Sequence, residues 1–245
     1  MILLTWNIRH GGGARVARIV EEIAAHDPDV IALTEYRARP GKVLSEILFE
    51  RGWRHVETTN PSGNRNGIAV FSRGRLIRKR CPAATEHHVR WLQLELPEQG
   101  FGLSVLHIPA AGSSKTHPLN LEKRRYWDAV LAAAGARIHQ PHLLAGDWNT
   151  GAHHADETGK TYVCAEHFLQ LSAMGWTDLW RHHNPGRTEW TWYSTLKGGV
   201  RGNGFRLDHA FATPALTRRS ISCRYSHRER ESGVSDHSMV LLELD

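Results

Sequence analysis

Five short polar motifs, each closing an apolar run, hold the residues best able to do chemistry: Trp6-Asn7, Thr34-Glu35-Tyr36-Arg37, Gly146-Asp147-Trp148-Asn149, Arg206-Leu207-Asp208-His209 and Ser235-Asp236-His237. They are scattered over the whole chain yet share one grammar. An apolar strand runs through the interior and delivers an acid, an amide or an imidazole at its end. Phosphodiester hydrolysis asks for such a set: carboxylates for a divalent cation, an imidazole for the phosphate and a group that orients water. The residue types therefore point to a metal-dependent phosphoesterase.

The elements that must position these groups are legible as hydrophobic periods. Ile2 to Trp6, Val30 to Leu33, Ile68 to Phe71, Val89 to Leu96, Phe101 to Ile108, His142 to Ala145, Phe205 to Ala212 and Met239 to Leu244 are expected strands. In the run from Val89, Trp91, Gln93 and Glu95 alternate with Leu92, Leu94 and Leu96, placing the two sets on opposite faces. Ala14 to His26, Val43 to Phe49, Leu121 to Ile138 and Ala165 to Met174 are expected helices; Gly11 to Gly13 and His26 to Asp29 bound the first. Pro61 to Gly67 is dense in turn residues and predicts a hairpin, and Gly198 to Gly204 predicts a flexible basic loop. Strands and helices intermix through hairpin links, so the expected class is α+β: two packed sheets with helices outside, in one domain spanning 1–245.

Composition narrows the classes. Three cysteines (Cys81, Cys164 and Cys223), an odd number without metal-ligand spacing, argue against a disulfide framework and a structural zinc site, and fit a reducing compartment. No run reaches membrane-spanning length, and Met1 to Leu4 is followed at once by Asn7 and Arg9, so the start reads as a core strand rather than a signal peptide. A cytoplasmic, monomeric protein is the default expectation. A net charge of +6 and a pI near 9.5 suggest a polyanionic partner. Basic clusters support this: Arg73 to Arg80, Lys123 to Arg125, and Arg218 to Arg230.

Taken in order, Trp6-Asn7, Glu35, Gly67-Ile68-Ala69-Val70-Phe71-Ser72-Arg73, Gly146-Asp147-Trp148-Asn149, Leu207-Asp208 and Ser235-Asp236-His237 resemble the endonuclease/exonuclease/phosphatase superfamily. Its members include DNase I, exonuclease III, AP endonucleases, neutral sphingomyelinases and inositol phosphatases. Each motif alone is weak; five in order, at strand ends from Ile2 to Leu244, are specific. The resemblance implies a four-layer α/β/β/α sandwich of the DNase I type. It implies Glu35 as principal ligand of Mg²⁺, with Mn²⁺ as substitute, helped by Asn7 and Asp236. It implies His237 on the scissile phosphate, Asp208 orienting it, and Asp147 and Asn149 on the side of the attacking water. His107 ends its strand where exonuclease III and AP endonucleases bear Tyr and DNase I and sphingomyelinase relatives bear His. The general base is thus Asp147 or a histidine. Arg9 stands where AP endonucleases often carry Asp, which favours one metal and leaves Arg9, with Arg37, for substrate phosphate. Thr34 and Ala110 also depart from the AP endonuclease pattern.

The segments Trp190 to Ser194 and Gly202 to Asp208 resemble exonuclease III and AP endonucleases more than DNase I. There, aromatics matching Trp192 and Phe205 line the pocket for a flipped-out abasic sugar, whose extrusion costs least because no base stacks. Lys197 and Arg201 would face backbone phosphates. The expected function is a DNA phosphodiesterase acting by in-line water attack. The alternatives are a non-specific DNase I-like endonuclease and an enzyme acting on a small phosphoester.

Overall fold

Alternation along the strands decides the layering. The computed structural model describes residues 1–81, 85–112, 114 and 116–245. One sheet orders its strands Ser220–Ser226, Met239–Leu244, Ile2–Asn7, Val30–Tyr36, Gly67–Ser72 and His55–Thr58. The other orders them Ile77–Arg78, Trp91–Leu96, Phe101–His107, His142–Asp147, Asp208–Ala212 and Thr177–Asp178. Leu3, Val30, Val70, Leu94, Leu103, Val105, Leu143 and Leu242 meet between the sheets and are fully or almost fully buried. Each buried aliphatic there contributes roughly 1.5–3 kcal/mol. The outer face of the first sheet packs on the helices Val16–Ala24 and Ala38–Glu50 through Trp6, Leu33, Ile19 and Leu44. That of the second packs on Pro118–Gly135 and Ala165–Ala173 through Leu144, Phe211, Trp127 and Phe168. The architecture is the expected four-layer sandwich.

Register brings the strand-end groups together. Ile2–Asn7 runs parallel to Val30–Tyr36 with Asn7 opposite Thr34, one residue from Glu35. In the other sheet His107 lies opposite Asp147 in a parallel pair, and Asp208 lies opposite Asp147 in an antiparallel one. Gly146 makes this approach possible. Its φ is +132°, and a Cβ there would sit 2.1 Å from the Leu106 carbonyl oxygen.

Several boundaries differ from expectation for physical reasons. The strand expected from Val89 starts at Trp91; residues 85–90 form a 3₁₀ turn. The carbonyls of Val89 and Arg90 accept from the Thr59 and Tyr126 hydroxyls instead of from a neighbouring strand. The Gly-rich segment expected to be a loose loop is half of a two-stranded hairpin, Trp192–Thr195 with Arg201–Phe205. Gly198 and Gly199, both near φ +81°, supply the turn, and the Arg201 guanidinium lies over the Tyr193 ring. The strand expected over Phe205 to Ala212 breaks at Arg206, which is buried between Asp156 and Asp178. Ser220–Ser226 and the short helix Leu179–His183 escaped sequence reading. No described helix is long and apolar enough to cross a membrane.

Two buried histidines give the fold a pH dependence. His142 bonds to the Ser104 hydroxyl at 2.9 Å, and the Nε2 of His209 faces the Thr150 carbonyl at 2.8 Å. Burial, reinforced by Arg137 and Arg206 respectively, lowers them to about 3 and about 4. Both stay neutral in the folded protein while the unfolded chain takes up protons below its ordinary value of 6.5. Unfolding free energy should therefore fall as pH drops from 6.5 toward 4, by up to about 1.4 kcal/mol per pH unit for each histidine. Denaturant titrations across that range should show a shallower acid slope in His209→Gln, whose amide can reach Thr150 without gaining a proton; an unchanged slope would contradict this origin.

Candidate active site

The strand ends open into a cavity of about 350 Å³ lined by Arg9, His10, Glu35, Asn66, Arg90, His107, Ala110, Asp147, Asn149, Trp192, Leu207, Asp236 and His237. Of the residues anticipated from sequence, Arg9, Glu35, His107, Asp147, Asn149, Trp192, Asp236 and His237 reach this lining. Asn7 and Asp208 stand directly behind it, bonded to Asp147 and His237. Phe205 packs behind Trp192, with ring centroids 5.9 Å apart. Arg37 does not line the cavity; its guanidinium binds Asn66 Oδ1 at 2.6 Å and His10 Nδ1 at 2.9 Å. Arg201 stays on the hairpin over Tyr193.

Asp147 is the hub. Its Oδ2 accepts from the Asn7 amide at 2.9 Å and its Oδ1 from the Asn149 backbone N–H at 3.1 Å. His107 Nε2 and His237 Nε2 flank Oδ2 at 3.8 and 4.0 Å. Burial raises Asp147 to about 7; Asp208 and Glu35 push the same way, against His237 and the Asn7 hydrogen bond. Behind His237, Asp208 Oδ2 lies 2.9 Å from Nδ1. Burial opposes charge on this imidazole, but Asp208 and Asp147 outweigh it and raise it to about 10. His107 goes the other way: burial, then Arg90 and His237, hold it well below the ordinary value. One cationic imidazole, one neutral imidazole and a carboxylate poised near neutrality thus share a few ångströms, a set able to move a proton and bind an anion.

The scaffold around these groups is closely tied. The Trp6 indole N–H donates to the His237 carbonyl at 2.9 Å, and the Ser235 hydroxyl donates to the Asn7 carbonyl at 2.6 Å. Thr191 Oγ1 accepts from the backbone N–H of Leu207 at 2.9 Å and of Asp208 at 3.3 Å. Four lining residues, Arg9, His10, Glu35 and Asn149, have φ between +48° and +58°. Such conformations cost non-glycine residues on the order of 1–3 kcal/mol and persist where surroundings impose them. Glu35 is held there by the His10 backbone N–H, which donates to Oε2 at 2.7 Å.

Lys123 is the residue that sequence reading misplaced. Grouped by sequence with a basic surface cluster, it is fully buried, and its ammonium donates to the Asn149 carbonyl at 2.5 Å. Burial lowers it to about 8, against the charges of Cys164 and Asp147. Its signal was its phase: Asn120, Lys123, Trp127, Val130 and Ala134 form one buried stripe of the helix. His10, Asn66 and Arg90 also went unread as site residues; nothing in their local sequence marks them.

A divalent cation fits the donors present. Glu35, Asp147 and Asp236 bring hard carboxylate oxygens to one open, polar cavity, and the repulsion that Asp208 and Glu35 exert on Asp147 is what a cation would offset. Asp147, Asp208 and His237 could also hold an ion with donor atoms within 4.8 Å of one another. The 2.9 Å contact between Asp208 and His237 instead makes those two a proton-sharing pair.

Comparison with known proteins agrees with this fold. The sequence profile described as "Endonuclease/Exonuclease/phosphatase family" matches residues 4–237. A DNA-(apurinic or apyrimidinic site) endonuclease of Dictyostelium discoideum is 24% identical over 100% of this chain and 71% of its own length. Among solved structures, an AP endonuclease from Archaeoglobus fulgidus superposes with a TM-score of 0.86 at 19% identity, covering 100% of this chain and 99% of its own. A 3′ phosphatase, NExo, from Neisseria bound to product DNA hairpin gives 0.85 at 21% identity with the same coverage. A 3′-5′ exonuclease from Neisseria meningitidis gives 0.84 at 22%, covering both chains fully.

Two measurements probe the site itself. In EDTA-treated protein, an NMR titration of His237 should give a value well above 6.5, and Asp208→Asn should move it down; an unshifted titration would remove Asp208 as its source of charge. Lys123→Met should lower kcat by roughly 10–100-fold, the range for lost supporting hydrogen bonds, with substrate KM little changed, because it frees the Asn149 backbone rather than a substrate contact.

Proposed function

We propose that this chain, which belongs to the endonuclease/exonuclease/phosphatase family, is a divalent-metal-dependent DNA phosphodiesterase of the exonuclease III/AP endonuclease type. Family and relatives are hydrolytic nucleases and phosphatases, and the chain is accordingly a hydrolase. The observation that carries the finer reading is the wall beside the phosphate residues. Trp192 lines the cavity with its ring 6.4 Å from that of His237, backed by Phe205, and its indole N–H donates to Asp236 at 3.3 Å. An apolar face joined to anion-binding residues suits a baseless sugar next to its phosphate.

Glu35, Asp236 and Asn7 would hold Mg²⁺, or Mn²⁺ in its place. A bound ion would supply positive charge against the phosphate oxygens. The protein's own groups do the rest. His237, kept charged by Asp208, binds a phosphate oxygen through Nε2. Asp147 takes the proton of the attacking water; burial raises it above the ordinary carboxylate range, which strengthens it as a base. The Asn7 and Asn149 donors fix its two oxygens, and His107 remains neutral alongside. Asn149 donates through its side-chain amide to the Ile108 carbonyl at 3.1 Å, which holds its carboxamide at the cavity edge to orient that water. In-line attack breaks the P–O3′ bond, and the departing oxygen takes a proton from solvent, leaving a 3′-hydroxyl and a 5′-phosphate. Arg9 and Arg90 face the backbone phosphates, so activity falls with salt.

The test compares labelled duplexes, one intact, one with a single abasic site and one with a 3′-terminal phosphate, with Mg²⁺ and with EDTA. Mg²⁺-dependent cutting at the abasic site is expected. Glu35→Gln should reduce it by on the order of a hundredfold or more, and Trp192→Ala should lower selectivity over intact duplex. Equal cutting of abasic and intact duplex would replace this reading with a general endonuclease in which His107 matters most; release of the terminal phosphate alone would make the chain a 3′-end phosphatase.

A further inference from the structure

On the outer face of the second sheet lies a cluster that phosphodiester hydrolysis does not use. Cys164, Glu166 and His167 meet at the start of the helix Ala165–Ala173, and one donor atom from each falls within 4.8 Å of the others. Cys164 is 1% exposed and has the left-handed φ of +70°. It caps the helix without a side-chain hydrogen bond, so capping does not explain that conformation. The Nδ1 of His167 is buried and has no hydrogen-bond partner. Its Nε2 lies 3.4 Å from Asp128 Oδ1 on the neighbouring helix. A carboxylate thus faces each ring nitrogen, since Glu166 Oε1 lies 3.4 Å from Nδ1; a cation between Glu166 and Nδ1 would replace the Nδ1 proton while Asp128 keeps the other on Nε2. Carboxylate, imidazole and ligand nitrogen in this sequence are how metal-binding histidines are oriented.

We propose that Cys164, Glu166 and His167 form a binding site for a soft divalent cation of the Zn²⁺ class, with Asp128 orienting His167 and a water completing the shell. A thiol, an imidazole and a carboxylate are the donor set Zn²⁺ takes, and a thiolate discriminates against Mg²⁺. Bonds of about 2.0–2.3 Å space tetrahedral donors about 3.5 Å apart, so closure asks for a movement of about an ångström. Glu166 can supply it: its side chain is 62% exposed, lies 3.4 Å from His167 Nδ1, and pairs with exposed Arg124 at 3.1 Å. Burial pushes the Cys164 thiol up to about 11, against Lys123 and Arg124. It is protonated without metal, and the proton passes to solvent as the sulfur–metal bond forms. This site differs from the hard-oxygen site at Glu35 in donors and in place. It would tie Ala165–Ala173 to Pro118–Gly135 through Asp128.

The test is a Co²⁺ titration of tag-free protein in excess Mg²⁺, followed by the near-ultraviolet thiolate-to-cobalt charge-transfer band, with Zn²⁺ added to displace it. One equivalent should develop the band, and Zn²⁺ should remove it. Cys164→Ser should abolish it. Asp128→Asn, which alters an exposed side chain that does not itself touch the ion, should weaken binding by about 10–100-fold, and His167→Gln by at least as much. Absence of the band in the unaltered protein, or its persistence in Cys164→Ser, would overturn the proposal. Should Cys164→Ser fail to fold, unchanged Co²⁺ affinity in both Asp128→Asn and His167→Gln would overturn it equally.

Discussion

Asn7 ends a strand of one sheet, Asp147 ends a strand of the other, and a 2.9 Å hydrogen bond joins them. The rest of the site depends on that contact. The sheets pack by leucines and valines that fit in many ways, but Asn7 and Asp147 meet only at one separation and one offset. A carboxylate this deep is stabilised by the donors around it, and removing one leaves a buried acceptor unsatisfied. The apolar core thus sets the sheet spacing, and the polar pair at its rim reports on it.

Much of the site was legible because strand ends are where chemistry can be displayed. Asp147 and His107 were readable from apolar runs that stop at a polar residue, Asp208 from one that starts at it, and pairing puts the three side by side. Glu35 follows the first rule, near the end of Val30–Tyr36, and Asp236 and His237 the second, just before Met239–Leu244. What was not legible required three dimensions or a faint period. Lys123 lies on an apolar stripe, but its neighbours Arg124 and Arg125 disguise it as surface charge. His10 and Asn66 matter because they meet Glu35 and Arg37, a relation no window of sequence contains. Ser220–Ser226 went unread because it is an edge strand whose buried positions are Cys223 and Tyr225, while Ile221 faces solvent. The Gly-rich segment read as loose because glycine signals freedom; here it forms the turn of a hairpin fixed by aromatic pairing.

The net charge of +6 needs the same care. Many of the arginines and lysines behind it are partnered: Arg73 with Asp27, Arg78 with Glu57, Lys79 with Glu95, Arg219 with Asp245 and Arg228 with Glu22. Such exposed pairs add little stability, yet they lower the field the protein offers a polyanion. The charge aimed at the cavity comes from Arg9, Arg90 and the imidazolium of His237, a smaller and better-placed set than composition suggests.

Arg9, His10, Glu35 and Asn149 sit at the cavity in a backbone conformation that glycine would adopt without steric strain. Selection for folding alone would press on them, Arg9 and Glu35 most, wherever the strain glycine relieves exceeds the entropy it costs. A lineage released from its chemistry should therefore drift toward glycine at these positions and become more robust as it falls silent. Engineering for thermal tolerance faces the same gradient: mutations that raise melting temperature will collect where turnover is lost, and a stability screen blind to activity would erode this site first.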